Sequence, residues 1–216
     1  MSNKRVTLTF DNGPTPGVTE AVLDILKRHG ITATFFVVGE NIDNPEGHDL
    51  IGRIVAEGHR PGNHTYSHTV LFGAEPDQAK VIEEIDRTQV LLGDLGRERL
   101  FRPYGGGGHL DKRVMSRTAY DHLGQQGYTM VLWNSIPGDW LNPDGWPDIA
   151  RAQIAEQDWT VTVVHDLPTG AMNSLDRFLT AARGDGVEFR TDFPEGLVPL
   201  VAGQAKLEID HILTDR

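Results

Sequence analysis

The sequence of 216 residues contains no cysteine, so neither a disulfide framework nor a thiolate metal site is available. Any metal must be held by histidine, carboxylate or amide groups. Positive charge is scarce: 20 Lys and Arg face 31 Asp and Glu, for a formal net charge of -11. No local cluster of Lys or Arg offsets it, which argues against nucleic acid and acidic membranes as partners. Long apolar runs are missing too, and nothing approaches a membrane span. The opening "MSNKRVTLTF" passes from charge straight into a short alternating strand, without an apolar signal core or a small-residue cleavage site. The expectation is a soluble, cytoplasmic chain. Low-complexity tracts and repeated sequence are absent as well. What remains is 38% hydrophobic, enough for one substantial core and a single α/β domain over residues 1–216.

Apolar spacing alternates along the chain between period 2 and period 3.6. "RVTLTF" ends at Asp11, after which Thr15 and Pro16 resemble an N-cap and first-turn pair. Val18, Val22, Ile25 and Leu26 then line one helical face up to Gly30. "ITATFFVV" is a continuous β-rich run, and "DLIGRIVAEG" returns to helical spacing with Gly58 as its stop. Helical spacing recurs at Val81, Ile82, Ile85 and Leu92, at Met115, Ala119 and Leu123, and at Leu175, Phe178, Leu179 and Ala182. "LFRP", "YTMVLWN", "WTVTVVH" and "VEFRT" read as strands, and "LVPLVAGQAKLE" as a closing helix. Alternating apolar strands and helices imply a mainly parallel sheet, open or closed into a barrel.

In parallel α/β folds the C-terminal ends of the strands converge on one face, where loops and helix N-termini form the pocket. Polar groups gather at those ends here. Asp11 and Asn12 follow the first strand, His64 and His68 follow "GHRPG", and Tyr104 with a run of glycines follows "LFRP". Asp139 and Trp140 come after "MVLW", and His165 ends "TVTVV". Taken singly each has an ordinary explanation. Asp-Asn-Gly-Pro is good turn chemistry. Arg102 and Asp139 suit a simple ion pair, and Trp133 and Trp140 suit a core. Gly105 to Gly108 lack the Lys-Ser/Thr ending of a phosphate loop and read as a flexible segment. His64 and His68, four apart, would share a side on a helical turn and could share a metal.

The set taken in order is more specific. "TFDNGP", "NHTYSH", "FRPYG", "GDW" and "VVHD" resemble the five successive motifs of the polysaccharide deacetylase family, the carbohydrate esterases (family 4) that share the NodB homology domain. The resemblance runs from Val6 to about Leu200. It implies a distorted (β/α) barrel of about seven parallel strands with outer helices, and metal-assisted removal of acetyl groups from N-acetylated sugars such as chitooligosaccharide or peptidoglycan-like glycan. It implies Asp11 as general base, His165 as general acid and Arg102 as the group that orients Asp11. Asp139 would pair with Arg102 or with His165. Tyr104 would offer its backbone N–H to the oxyanion, and Trp140 would wall the acetyl pocket. His64, His68 and Asn12 would hold a divalent metal, usually zinc in this family.

Three departures from the pattern bear on that expectation. Family members usually carry Asp where this chain has Asn12. An amide oxygen brings no charge, so the metal is expected to be held weakly. "FRPYG" is one residue shorter than the common Arg-Pro-Pro-Tyr form, and Ile136 stands where the fourth motif often has a further Asp. Two alternatives follow: a hydrolase of a small or cyclic amide metabolite on the same fold, or a catalytically impaired carbohydrate-binding relative.

Overall fold

Along the first strand Val6, Leu8 and Phe10 alternate with Thr7, Thr9 and Asp11, and both faces are buried because neighbouring strands and helices cover them. The computed structural model of the protein describes residues 4–215. In chain order its helices and strands are β1 (Arg5–Asp11), α1 (Thr19–His29), β2 (Thr34–Val37), α2 (Gly39–Ile42), α3 (Pro45–Ala56), β3 (Arg60–Asn63), α4 (Gln78–Leu92), β4 (Leu100–Phe101), β5 (Met115–Ser116), α5 (Arg117–Gln125), β6 (Thr129–Met130), α6 (Trp146–Ala155), β7 (Trp159–His165), α7 (Leu175–Gly184), β8 (Glu188–Arg190), β9 (Leu200–Val201), β10 (Gln204–Ala205) and β11 (Leu213–Thr214).

β1 pairs with β7 along its whole length, with β8 beside Arg5–Thr7 and with β2 beside Thr9–Asp11. The sheet continues through β3, β4 and β6, all parallel, and ends in the antiparallel edge formed by β9 and β10. Beyond β6 the chain turns back toward β7. The Val163 N–H donates to the Ser135 carbonyl at 3.0 Å, and Asn134 Oδ1 accepts from the Val161 N–H at 2.7 Å. This contact curls the parallel strands into a distorted (β/α) barrel with the helices outside. Parallel neighbours need crossover segments, and the amphipathic helices supply them.

Most of the helical spacing is realised. Val22 and Leu26 of α1 are buried, and Gly30 ends the helix in the left-handed region at φ 58°. Leu175, Phe178, Leu179 and Ala182 of α7 are all buried in one cluster with Phe10, Phe35 and Trp146. Burying side chains of this size stabilises the fold by roughly 1.5–3 kcal/mol each. Among the described residues no helix is long and apolar enough to cross a membrane.

Met115, grouped with the helical spacing of Ala119 and Leu123, lies in β5 ahead of α5, and two further local expectations fail for identifiable reasons. α1 begins at Thr19, not at Thr15 and Pro16, because the Thr15 N–H donates to Thr19 Oγ1 at 2.7 Å and fixes a turn before the helix. "LVPLVAGQAKLE" is no helix; it forms the β9–β10 hairpin. Ala202 and Gly203 carry φ values of 47° and 81°, the left-handed pair that a tight hairpin needs and a helix forbids.

Candidate active site

Asp11 and His165 end neighbouring strands and are direct register partners across β1 and β7, so both side chains leave the same face at the sheet's C-terminal end. Asp11, Asn12, His64, His68, Tyr104, Trp140 and His165 line one cavity of about 260 Å³. Trp133, Ile136, Val163, Leu167 and Gly105 to Gly108 complete its wall. The polar residues singled out at separate strand ends therefore meet around one space.

Asp11 is 4% exposed, and its Oδ1 accepts from Arg102 Nη1 at 2.7 Å. Arg102 is wholly buried. The same Nη1 also donates to Thr9 Oγ1 at 2.7 Å, and the guanidinium lies 4.0 Å over the Phe36 ring. Burial pulls the Arg102 pKa down, and the charge and hydrogen bond of Asp11 oppose that. Arg102 thus holds one Asp11 oxygen fixed and leaves Oδ2 free to face the cavity.

Oδ2 lies 3.6 Å from His64 Nε2. His64 Nδ1 is 2.8 Å from the Arg102 carbonyl. A carbonyl only accepts, so the ring proton sits on Nδ1 and Nε2 carries the lone pair. Burial pushes His64 down to about 3, with the Arg102 and His165 charges adding to it and the Arg102 carbonyl bond opposing. Burial and the His64 charge push His68 down to about 3 as well. Both rings are neutral at neutral pH, the state a metal ligand requires. Their centroids are 4.8 Å apart, and His68 also lies 4.2 Å from the Tyr104 ring.

Spacing alone suggested a helical turn for the two histidines; instead they sit on a loop in which Thr65 and His68 have φ values of 69° and 54°. Asn12 is likewise left-handed at φ 74°, a conformation asparagine tolerates well, and its Oδ1 is buried without a hydrogen-bond partner. Two acceptors 3.6 Å apart, an amide oxygen buried without a partner and a second neutral imidazole thus line one cavity, a set whose needs hydrogen bonding within the protein leaves unmet. Among the described residues no group of three or more His, Asp and Glu side chains is assembled for a metal; His64, His68 and the Asn12 amide, which line one cavity, are the groups that could hold a cation.

Next to Asp11, His165 Nδ1 donates to Asp139 Oδ1 at 2.9 Å, and the His165 backbone N–H donates to Asp139 Oδ2 at 2.9 Å. Asp139 is wholly buried. Of the two partners open to Asp139, the structure pairs it with His165 and leaves Arg102 to Asp11. Burial of His165 disfavours its charged form, but the Asp139 hydrogen bond and charge, with Asp11 and Asp166 behind, outweigh it and move the pKa upward. The Trp140 ring stands edge-on to His165 at 4.9 Å. Ile136, in place of a further acid, contributes apolar wall, and Gly108 is bare for a reason: at φ 88° an added Cβ would lie 2.2 Å from Ile136 Cδ1.

Two further buried acids lie near the site, one of them the last residue of the "VVHD" motif. Asp166 is wholly buried, accepts from Thr19 Oγ1 at 2.5 Å and is pushed by burial up to about 6. It fills the space where a Gly13 side chain would project. Glu84 occupies a core position on α4 among Val81, Ile85 and Thr88 and reaches the histidine loop. A charged residue at an apolar position of a helical pattern was the available signal for it.

A family model described as "Polysaccharide deacetylase" matches residues 1–131. The peptidoglycan-N-acetylglucosamine deacetylase PgdA of Listeria monocytogenes is 31% identical over 193 residues, covering 88% of this chain and 38% of that protein. The chain therefore spans well under half the length of that relative. The chitooligosaccharide deacetylase of Bradyrhizobium sp. is 32% identical over 167 residues, 76% of this chain and 71% of that one. Among solved structures, the family 4 acetyl xylan esterase from Clostridium thermocellum, in complex with a cobalt ion, superimposes with a TM-score of 0.69 at 28% identity over 87% of each chain. With a family model matching residues 1–131, relatives more than 30% identical and a solved structure of the same fold, the chain belongs to the polysaccharide deacetylase family.

Proposed function

We propose that the protein is a metal-assisted hydrolase that removes acetyl groups from N-acetylated amino sugars. The observation that carries this reading is the pairing of two separately held groups at one cavity: Asp11 locked by Arg102 on β1, and His165 locked by Asp139 on the neighbouring β7. His64, His68 and Asn12 would hold the divalent cation, with zinc the expected ion, and the cobalt bound by the Clostridium thermocellum esterase supports a cation on this fold. When bound, the cation supplies Lewis acidity toward the amide carbonyl. Asp11 takes the proton from the attacking water, its free oxygen facing the cavity. The Tyr104 backbone N–H stabilises the developing negative oxygen. As the C–N bond breaks, His165 gives its proton to the departing amine, which would otherwise leave as a very basic anion. Trp140 walls the acetyl group. The cavity wall is apolar away from these groups, as a neutral acetamido sugar requires.

The test is release of acetate from chitooligosaccharides, abolished by a chelator and restored by zinc or cobalt. No acetate under any divalent cation, with saturable sugar binding retained, would replace the enzyme by a binding relative.

Two predictions arise from the same groups. Asn12→Asp is expected to bind zinc at least about tenfold tighter, ~1.4 kcal/mol, because it adds a unit charge beside the cation. Isothermal titration measures it, and equal affinities would remove Asn12 from the ligand set. Asp139→Asn addresses the acid. His165 works while protonated, so activity is lost as pH rises through its pKa, which Asp139 raises. Removing that carboxylate lowers the pKa and moves the basic limb of the kcat/KM profile to lower pH. A basic limb that stays in place would assign the proton to another group.

A further inference from the structure

We propose that Glu84 is the positioning residue for the metal-binding loop, holding the strained turn between His64 and His68 in the shape that lets both imidazoles face one cation. The inference rests on the functional reading above and concerns a residue outside the cavity lining. Glu84 is 7% exposed and sits on α4, a separate element from the loop. One oxygen, Oε2, accepts from the consecutive backbone N–H groups of Tyr66 and Ser67 at 3.0 and 2.8 Å. The other, Oε1, accepts from Ser67 Oγ at 2.8 Å. A single carboxylate thus satisfies two part-buried amides and a hydroxyl inside the five-residue segment that ends in the two histidines.

The segment needs such a hold. Thr65 is β-branched and His68 is bulky, yet both are left-handed at φ 69° and 54°. Conformations of this kind cost roughly 1–3 kcal/mol each and persist only where the surroundings over-determine them. Part of the restraint comes from the loop's carbonyls, since those of Thr65 and Tyr66 accept from the Gly39 and Glu40 N–H groups. Asn63 Oδ1 accepts from the Thr65 N–H at 3.0 Å. Glu84 supplies the restraint on the opposite, N–H side of the same peptides. Its carboxylate lies where the sequence spacing of α4 calls for an apolar residue, so its burial is offset by these three bonds. If they were lost, Tyr66 and Ser67 would turn toward other acceptors and His68, one residue on, would turn with them.

Cobalt(II) titration of the purified protein, followed by isothermal calorimetry, together with amide hydrogen exchange without metal, tests this. Glu84→Asp withdraws the carboxylate by one methylene but keeps its charge. It is expected to weaken cobalt binding about 10- to 100-fold, the range found when groups that orient metal ligands are altered. The Tyr66 and Ser67 amides should exchange at least about tenfold faster, as for any lost hydrogen bond of about 1.4 kcal/mol. Glu84→Gln can present its carbonyl oxygen to both amides and its NH₂ to Ser67 Oγ, and is expected to rescue affinity to within about threefold of wild type, a loss typical of one weakened hydrogen bond. A role confined to folding would lower melting temperature while leaving the folded fraction's affinity unchanged. Ser67→Ala, which removes one donor from the loop side, should weaken cobalt binding by about threefold and keeps the test open should Glu84→Asp not fold. Wild-type uptake of cobalt matched by Glu84→Asp, or by Ser67→Ala where that variant stands in, overturns the inference alone. Wild-type protein that takes up no cobalt overturns the functional reading and this inference together.

Discussion

Asp11→Asn is expected to lower turnover of an N-acetylated oligosaccharide by about 10²- to 10⁴-fold, the range that a positioned general base contributes. The substitution keeps the size of the side chain and one acceptor for Arg102 Nη1, now 2.7 Å from Oδ1. It removes the negative oxygen that faces His64 Nε2 at 3.6 Å. The loss should fall on kcat, because a base acts in the transition state and contributes little to ground-state binding. Metal content separates two roles. With Asn12 supplying no charge, Asp11 could instead have become the anionic ligand, and then Asp11→Asn would shed the cation as it loses activity. Retention of a cation by a variant that no longer turns over assigns Asp11 to the proton. Undiminished turnover would leave Asp11 without a part in the reaction.

Much of this site was readable before any coordinates because its chemistry is local in sequence. Each motif is a strand end followed at once by its polar group, and parallel topology does the rest. The register of β1 against β7 that places Asp11 beside His165 follows from two apolar strands of matching length. Long-range choices were less legible. Asp139 had two plausible partners, and only the path of the segment after β6 brings it under His165. The loop of His64 and His68 read as a helical turn because a spacing of four fits one. Its left-handed residues follow from Asn63, inside the motif itself, and from Glu84 and the N-terminus of α2, which a local window does not contain. The β9–β10 hairpin is illegible for the converse reason. Its apolar spacing suits either period, and a two-residue turn at Ala202 and Gly203 decides it. Arg102 shows both sides of the matter. Its motif named it, but nothing in "FRP" reveals that the guanidinium would be wholly buried between Phe36 and Trp133.

That burial carries the second large effect. Arg102→Met is expected to destabilise the protein by about 3–5 kcal/mol, the cost of removing one partner of a buried ion pair. Methionine fills much of the same volume, so the loss comes from electrostatics and unmade hydrogen bonds more than from a cavity. Asp11 and Thr9 Oγ1 lose a 2.7 Å partner each, and the Val131 carbonyl loses its donor from Arg102 Nε at 3.3 Å. Lysine does not substitute, since it lacks the planar fork that reaches these groups at once. The double variant discriminates among the sources. If the uncompensated Asp11 charge dominates, adding Asp11→Asn to Arg102→Met should recover about 1–3 kcal/mol, a coupling expected between residues in one network. Urea denaturation of the four proteins in the cycle measures it. Additive losses would place the cost in the carbonyl and Thr9 bonds and detach the arginine from the carboxylate it is argued to hold. The activity cycle gives the complementary result. With Asp11→Asn already in place, Arg102→Met should cost little further turnover, because a residue that works by orienting a base has nothing left to orient.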